Sequence, residues 1–207
     1  MPRVVVAGTD TDIGKTVFAA GLTQALGAQY LKPVQSGLEG ETDSQTVARL
    51  TGRPTLPELI RLKKPASPHL AAEAEGLTID PEAITLPNTA APMVIEGAGG
   101  LLVPLNREIL YVDLISAWQH PVVLCARTQL GTINHSLLSL RALKAAGCRV
   151  VGIAFIGDAE PDVEETIIQF GETRHLGRLP RLDPLTPETL AAAFEDIDVE
   201  SIRKAMA

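Results

Sequence analysis

The sequence predicts an α/β fold, a mostly parallel β-sheet flanked by helices on both faces, and three observations carry that expectation. Short apolar runs recur at residues 3–7, 30–34, 92–95, 121–126 and 149–156 without the in-out alternation of a half-exposed strand, so they read as strands buried on both faces. Segments of helical spacing stand between them, and strands alternating with helices make a parallel sheet. The composition agrees: 45% apolar and 21% charged residues in a chain of 207 are those of a soluble domain long enough to bury a core, so residues 1–207 are expected to form a single domain.

Taken in order, residues 3–7 are a β-branched run that enters a glycine-rich stretch, and residues 17–26 then have helical spacing that stops at Gly27, a residue suited to a left-handed helix end. The second strand, 30–34, leads to a helix at 44–50. Residues 54–92 are richer in proline and the least regular, and are expected to form an excursion from the sheet that carries function. Helices follow at 112–118, 135–146, 163–170 and 187–194, with strands at 92–95, 121–126 and 149–156 between the earlier ones. There is no repeat of fixed period and no low-complexity tract. In sheets of this kind ligands bind beyond the carboxyl ends of the strands, so the residues just after each strand are where chemistry is expected.

No apolar run approaches the roughly 20 residues needed to span a bilayer, and the apolar stretch near the amino terminus is too short for a secretory signal. Cys125 and Cys148 lie in separate apolar stretches without metal-type spacing, which reads as reduced core residues of a cytoplasmic protein. A net charge of -7 argues against a footprint for nucleic acid or anionic membrane, leaving small molecules or proteins as partners.

The glycine-rich stretch is GTDTDIGKT, residues 8–16. A phosphate loop usually places four residues between its first glycine and Gly-Lys-Ser/Thr; here five separate Gly8 from Gly14, and Asp10 and Asp12 are among them. The chemistry is still that of a phosphate cradle: a glycine turn entering a helix aims backbone N–H groups and the positive helix end at one spot. Lys15 can reach the terminal phosphates, and the Thr16 hydroxyl can ligate the accompanying magnesium. The fold expectation thereby sharpens to a P-loop NTPase-like domain.

Of six lysines, against 12 arginines, two fall at strand ends: Lys15, and Lys32 in YLKPVQSG. Lys32 reads either as a site residue or as a solvated edge lysine. Glu96 directly follows the run APMVI, and an acid at the end of a buried strand is costly without a cation; beside a phosphate loop that cation is expected to be magnesium. Asp43, in GETDSQT, is a second metal candidate or a plain helix N-cap. GAGGLLVPL, residues 97–105, suits close backbone approach to a ligand or a tight turn. LGTINH, residues 130–135, places a helix start after a strand, an anion site or ordinary capping. In ASPHLAAE, residues 66–73, Ser67 can cap a helix, and nothing in the spacing singles out His69. His120 and His175 read as surface or packing residues.

Together, GTDTDIGKT, KPVQSG, TDSQ, SPHLAA, EGAGGLLVPL and LGTINH, in this order and at these separations, resemble the dethiobiotin synthetases of the biotin pathway, over about residues 4–190 with 40–65 the loosest part. The resemblance implies a P-loop branch whose loop has the longer form Gly-x5-Gly-Lys-Thr. It implies an ATP- and magnesium-dependent cyclo-ligase that converts 7,8-diaminononanoate and carbon dioxide to dethiobiotin through a carbamate and a carbamic-phosphoric anhydride, releasing ADP and phosphate.

By the same resemblance Asp12, Ile13, Gly14, Lys15, Thr16 and Val17 hold nucleotide, with Asp43, Glu96, Gly97, Ala98 and Gly99. Pro180, Arg181, Leu182 and Glu188 match a late nucleotide-contacting stretch. Magnesium falls to Thr16, Asp43 and Glu96, and catalysis to Lys15 and Lys32. Thr11 and Ser36 match diamine-binding positions. Gly131, Thr132, Ile133 and Asn134 match the segment that takes the substrate carboxylate across a homodimer interface. The chain departs from the family at Ile156 and Gly157, where relatives commonly carry Asn-Asp and the Asn reads the adenine edge. Either backbone groups replace that amide, or nucleotide selectivity is relaxed.

Overall fold

Six parallel strands form the main sheet of the computed structural model, which describes residues 1–207. Along the chain the elements are β1 (Arg3–Gly8), α1 (Lys15–Leu26), β2 (Gln29–Leu31), β3 (Val34–Ser36), α2 (Asp43–Thr51), β4 (Ile60–Leu62), α3 (Pro68–Ala74), β5 (Met93–Gly100) and α4 (Tyr111–Trp118). They continue as β6 (Val122–Arg127), α5 (Thr132–Ala145), β7 (Val150–Ile156), α6 (Pro161–Gly171), β8 (His175–Leu179), α7 (Pro187–Ala193) and α8 (Val199–Met206). The sheet order is β2-β5-β1-β6-β7-β8, and β3 pairs with β4 in a separate small sheet. The chain leaves central β1 toward one edge, fills in β5, then crosses to build β6, β7 and β8. Ligands in open α/β sheets bind where the order reverses in this way, beyond the carboxyl end of the central strand.

Strand alternation divides the core between the two faces. Val4 and Val6 join Phe18, Leu22, Val94, Val123 and Leu190 on the α1 side, while Val5 and Ala7 join Ile95, Leu114, Leu124, Leu140 and Ile167 on the other. Helix α1 stops at Gly27, which sits in the left-handed region at φ 62° and donates its N–H to Gln24 at 3.0 Å. It lies close under the loop before α8 through Gly21, whose missing Cβ would fall 2.1 Å from Phe194. No helix is long and apolar enough to cross a membrane.

The structure departs from the sequence reading in several places. The strand expected at 30–34 is two strands in different sheets, because Pro33 cannot donate to a ladder and its carbonyl accepts from Leu59 and Ile60 instead. The strand expected at 92–95 runs on to Gly100, so the glycine run is strand and not a turn. The pairing of β1 with β5 slips between Val6↔Glu96 and Gly8↔Gly100, a bulge that absorbs the intervening residues of β5. Strand β4 lies in the proline-rich stretch, and β8, reading HLGRL, is an edge strand with a central glycine; both fell below the apolar signal. Helix α8, closing the chain, buries Ile202 and Met206.

Candidate active site

The register of two parallel strands builds the centre of the site. Gln29, Tyr30 and Leu31 of β2 pair with Met93, Val94 and Ile95 of β5. One residue further, Lys32 is level with Glu96, and the period of two puts Tyr30, Lys32 and Glu96 on the α1 face. The Lys32 ammonium donates to Glu96 Oε1 at 2.9 Å, to Asp43 Oδ2 at 2.6 Å and to the Gly97 carbonyl at 3.0 Å. Lys32 is 5% exposed, so it is not an edge lysine in water. Burial pulls its pKa down, but the charges of Glu96 and Asp43 and their hydrogen bonds outweigh that and hold it above the ordinary lysine value.

Glu96 is 1% exposed. Its Oε1 also accepts from the Thr16 hydroxyl at 2.9 Å, and its Oε2 from the Tyr30 hydroxyl at 2.7 Å. Beside Glu96 stands the Lys32 ammonium, a partner that the sequence reading had not paired with it. Asp43 is not the cap of α2: Thr42 takes that role in a capping box with Gln45, at 3.4 and 2.8 Å, which leaves the Asp43 carboxylate to Lys32. Asp43 and Glu96 therefore converge on one ammonium, with the Thr16 hydroxyl bound to Glu96 beside it. Two carboxylates and a hydroxyl are the sparse, hard-oxygen set that magnesium uses when it arrives with phosphate oxygens, so these residues fit that ion. No group of three His, Cys, Asp or Glu side chains converges anywhere to suggest another metal.

The loop after β1 supplies the second ammonium. Lys15 is 6% exposed and bends back to the Asp10 carbonyl at 3.3 Å. Burial lowers its pKa below the ordinary value, with the Glu96 charge opposing. Asp10 serves the loop itself, accepting the Thr11 N–H at 2.8 Å and facing Arg127 at 3.5 Å. Asp12, at φ 54°, and Gly14, at φ 90°, both stand in the left-handed region. At Gly14 a side chain would meet Ile156 at 2.9 Å, so glycine is required there on two counts.

Two clefts open on either side of this loop. One, of about 530 Å³, is lined by Thr11, Asp12, Lys32, Ser36, Asp43, Ala98 and Gly99 among others. The second, of about 350 Å³, is lined by Asp12, Ile13, Gly14, Thr128, Gly157 and Arg181 among others. Asp12 lies on both. The glycines of the 97–100 run make room for the protein's own parts: a Cβ on Gly99 would lie 3.1 Å from Val103 and 3.4 Å from the Thr11 hydroxyl, and one on Gly97 3.4 Å from Tyr111.

Other expected residues are not brought to the clefts. Val17 packs on the α1-side core, as does Leu182, which with Pro180 flanks Arg181 in the loop after β8. Glu188 is exposed in the first turn of α7, its carboxyl held below the usual range by backbone N–H and the Thr186 hydroxyl. Gly131, Thr132, Ile133 and Asn134 begin α5. Gly131 caps it at φ 93° with no side chain to offer, and the buried Thr132 hydroxyl donates to the Arg127 carbonyl. They line neither cleft. A third hollow of about 370 Å³ lies between the Thr9–Asp10–Thr11 stretch and α5, flanked by Leu102 and Leu138, which are 60% and 55% exposed.

Gly157 bears on the departure from the family pattern. Its N–H is given to Leu179 at 3.0 Å, so that donor is not free to replace a missing side-chain amide, while its carbonyl accepts from Arg178 at 2.9 Å. His175 pairs with Glu164 at 2.9 Å and His120 lies 3.5 Å from Arg3, away from the clefts. Sequence reasoning missed Tyr30 and Gln35. The signal for Tyr30 was its position two before Lys32, on the same strand face. Gln35 is buried and ties the chain by donating to the Ser36 and Gly37 carbonyls at 3.2 and 3.3 Å while accepting the Asp43 N–H at 3.4 Å.

Comparison with known proteins agrees with this geometry. A family described as AAA domain matches residues 2–189. A protein of Rhodopseudomonas palustris (strain BisB18) named ATP-dependent dethiobiotin synthetase BioD is 59% identical over 197 residues, covering 94% of both chains. Proteins of the same name from Nitrobacter hamburgensis, 58% identical over 94% of this chain and 93% of its own, and from Agrobacterium fabrum, 59% identical over 93% and 92%, match equally well. Among solved structures, the cell division ATPase MinD of Pyrococcus furiosus superposes with a TM-score of 0.62 at 15% identity over 99% of both chains. A ParA family ATPase from Chlorobium tepidum gives 0.58 at 11% identity over 99% of this chain and 95% of that one. Those two show the P-loop α/β fold and nothing of function; the near full-length identity to the synthetases shows more, and on it the chain belongs to the dethiobiotin synthetase family.

Proposed function

We propose that this protein closes the ureido ring of dethiobiotin from 7,8-diaminononanoate, carbon dioxide and ATP, as an ATP-dependent ligase of biotin biosynthesis working in the cytoplasm. The observation that carries the reading is the convergence of Lys15, Lys32, Thr16, Asp43 and Glu96 between two clefts that share one loop residue, Asp12.

The cleft beyond Asp12 toward Gly157 and Arg181 takes the nucleotide, and the phosphate chain lies over the loop with its terminal oxygens at Lys15. The larger cleft takes the diamine beside Thr11 and Ser36. One substrate amine, having lost a proton, adds to carbon dioxide to give a carbamate; a carbamate oxygen attacks the γ-phosphorus and ADP leaves. The second amine then attacks the carbamate carbon and phosphate leaves, closing the ring. Phosphoryl transfer of this kind needs positioning and charge stabilisation more than covalent help from the protein. Lys15 and Lys32, one on each side of the transferred group, stabilise the charge that develops. Thr16, Asp43 and Glu96 would hold magnesium, which supplies further neutralisation of phosphate oxygens.

A homodimer completes the site, with the start of α5 of one copy receiving the carboxylate of a diamine bound in the other. Its helix end favours an anion, and the exposed Leu102, Leu130 and Leu138 near it give an apolar surface to bury. The test is incubation with diaminononanoate, bicarbonate, ATP and magnesium while following phosphate: release must depend on the diamine, and its independence of diamine would end the proposal. Asp12→Asn examines the shared loop. Unchanged apparent affinity for the diamine and unchanged turnover remove Asp12 from the site.

A further inference from the structure

The chain has two tyrosines, and both are buried beside the end of β5, on opposite faces of the sheet. The Tyr111 hydroxyl lies near the Ala98 amide without reaching hydrogen-bond geometry and has no partner. Tyr30 is different: its hydroxyl donates to Glu96 Oε2 at 2.7 Å. The other carboxylate oxygen, Oε1, is the one that meets Thr16 and Lys32. Three donors are thus divided between two oxygens, and Tyr30 alone holds the one turned away from the phosphate loop.

Strand geometry explains how it reaches. Tyr30 is opposite Val94, two residues before Glu96 on the same face, a separation of roughly 6.6 Å along the strand that a tyrosine side chain spans. The terminal torsion of a carboxylate side chain is broad and two-fold, so covalent structure does not set its plane. With Glu96 1% exposed, water is not at hand to take the place of a lost donor.

From this we infer that Tyr30 is a positioning residue of the site: its hydroxyl fixes the rotation of the Glu96 carboxylate so that Oε1 is presented to Thr16 and to a bound divalent cation. The inference rests on reading Glu96 as a magnesium ligand. Partners that orient a ligating side chain typically change metal affinity by about 10- to 100-fold when removed.

Tyr30→Phe keeps the ring that packs under α1 and deletes only the hydroxyl. In the full chain, manganous ion is titrated by electron paramagnetic resonance with a non-hydrolysable ATP analogue present, and metal-free nucleotide affinity is measured beside it. The expected result is manganese affinity at least about tenfold weaker, with metal-free nucleotide affinity within about twofold. Tyr111→Phe, which deletes the unpartnered tyrosine hydroxyl, leaves manganese affinity unchanged. A Tyr30→Phe protein that binds manganese within about threefold of the parent overturns the inference, whatever its melting temperature. A parent that binds no manganese with the nucleotide overturns the reading of the metal site itself, a separate outcome. A double-mutant cycle gives an independent check: on a Glu96→Gln background the Tyr30→Phe change costs less than about threefold if it acts through Glu96, and an undiminished cost there overturns it.

Discussion

Lys32→Met removes one positive charge while keeping most of the four-carbon stem, so its effect reads on the ion pairs and not on a cavity. Three bonds of 2.6, 2.9 and 3.0 Å are lost. Removing one partner of a buried pair costs about 3–5 kcal/mol, because the remaining charge is left uncompensated. Two features place this case at the lower end: Glu96 keeps the Tyr30 and Thr16 hydroxyls, and the Asp43 side chain is 30% exposed and can turn to water. A loss of about 3 kcal/mol in a chain of this size corresponds to a melting temperature lower by roughly 6–12 °C. Magnesium, which the freed carboxylates can bind, restores part of it, so the variant's melting temperature responds to magnesium more steeply than the parent's. In the phosphate-release assay, diamine-dependent turnover falls by about 10²–10³, as for loss of a charge-stabilising donor, while nucleotide affinity stays within about threefold because Lys15 and the loop are untouched. A melting shift below about 2 °C refutes the ion-pair argument, and equal losses of nucleotide affinity and turnover remove Lys32 from a role confined to group transfer.

Gly21→Ala gains about 1 kcal/mol of helix propensity, but the new methyl falls 2.1 Å from Phe194, which is buried and packed on Phe18 at 5.2 Å between ring centroids; overpacking costs about 1–3 kcal/mol, so calorimetry should show a lower melting temperature. Lys15 has a lowered pKa in the folded chain, so between that value and the ordinary 10.5 the folded state binds fewer protons than the unfolded one, and the Lys15 contribution to stability rises with pH across that window. A bound phosphate raises the Lys15 pKa again. Nucleotide binding should therefore take up protons at alkaline pH and weaken as pH rises through the lowered value, which calorimetric titration in buffers of different ionisation enthalpy measures. Because Ile156 offers no side-chain amide and the Gly157 N–H is given to Leu179, neither supplies a donor to a base; ATP, CTP and GTP should bind within about tenfold of one another, in contrast to the 10⁴-fold rejection that a dedicated polar contact gives.

Much of the fold was legible because buried parallel strands announce themselves as unbroken β-branched runs, as at Val4, Val5 and Val6. The two strands that were not legible lack that signal for a physical reason: β8 is an edge strand with Gly177 at its middle, where a side chain would collide with the Asp196 carbonyl at 2.3 Å, and β4 is three residues long. In the site, residue type and place on a strand identified Lys32 and Glu96, but spacing said nothing of their mutual register. That each is the other's partner follows from the β2–β5 pairing, a long-range fact. The same holds for Asp43, whose freedom to meet Lys32 depends on Thr42 having taken the cap.

The register also explains why the phosphate loop tolerates carboxylates so close by. Two ammonium groups, Lys15 and Lys32, and two carboxylates, Asp43 and Glu96, cancel in net charge at the floor of the site. The aspartates of the loop itself are turned to other uses, Asp10 to the Thr11 N–H and Arg127, and Asp12 to the rim between the clefts. A shift of one residue between β2 and β5 would turn Lys32 and Tyr30 alike to the opposite face of the sheet, leaving Glu96 buried with the Thr16 hydroxyl alone. The fold therefore cannot form in a slipped register without the cost of an uncompensated charge, and the ion pair that serves the proposed phosphoryl transfer also specifies the pairing of the strand that carries it.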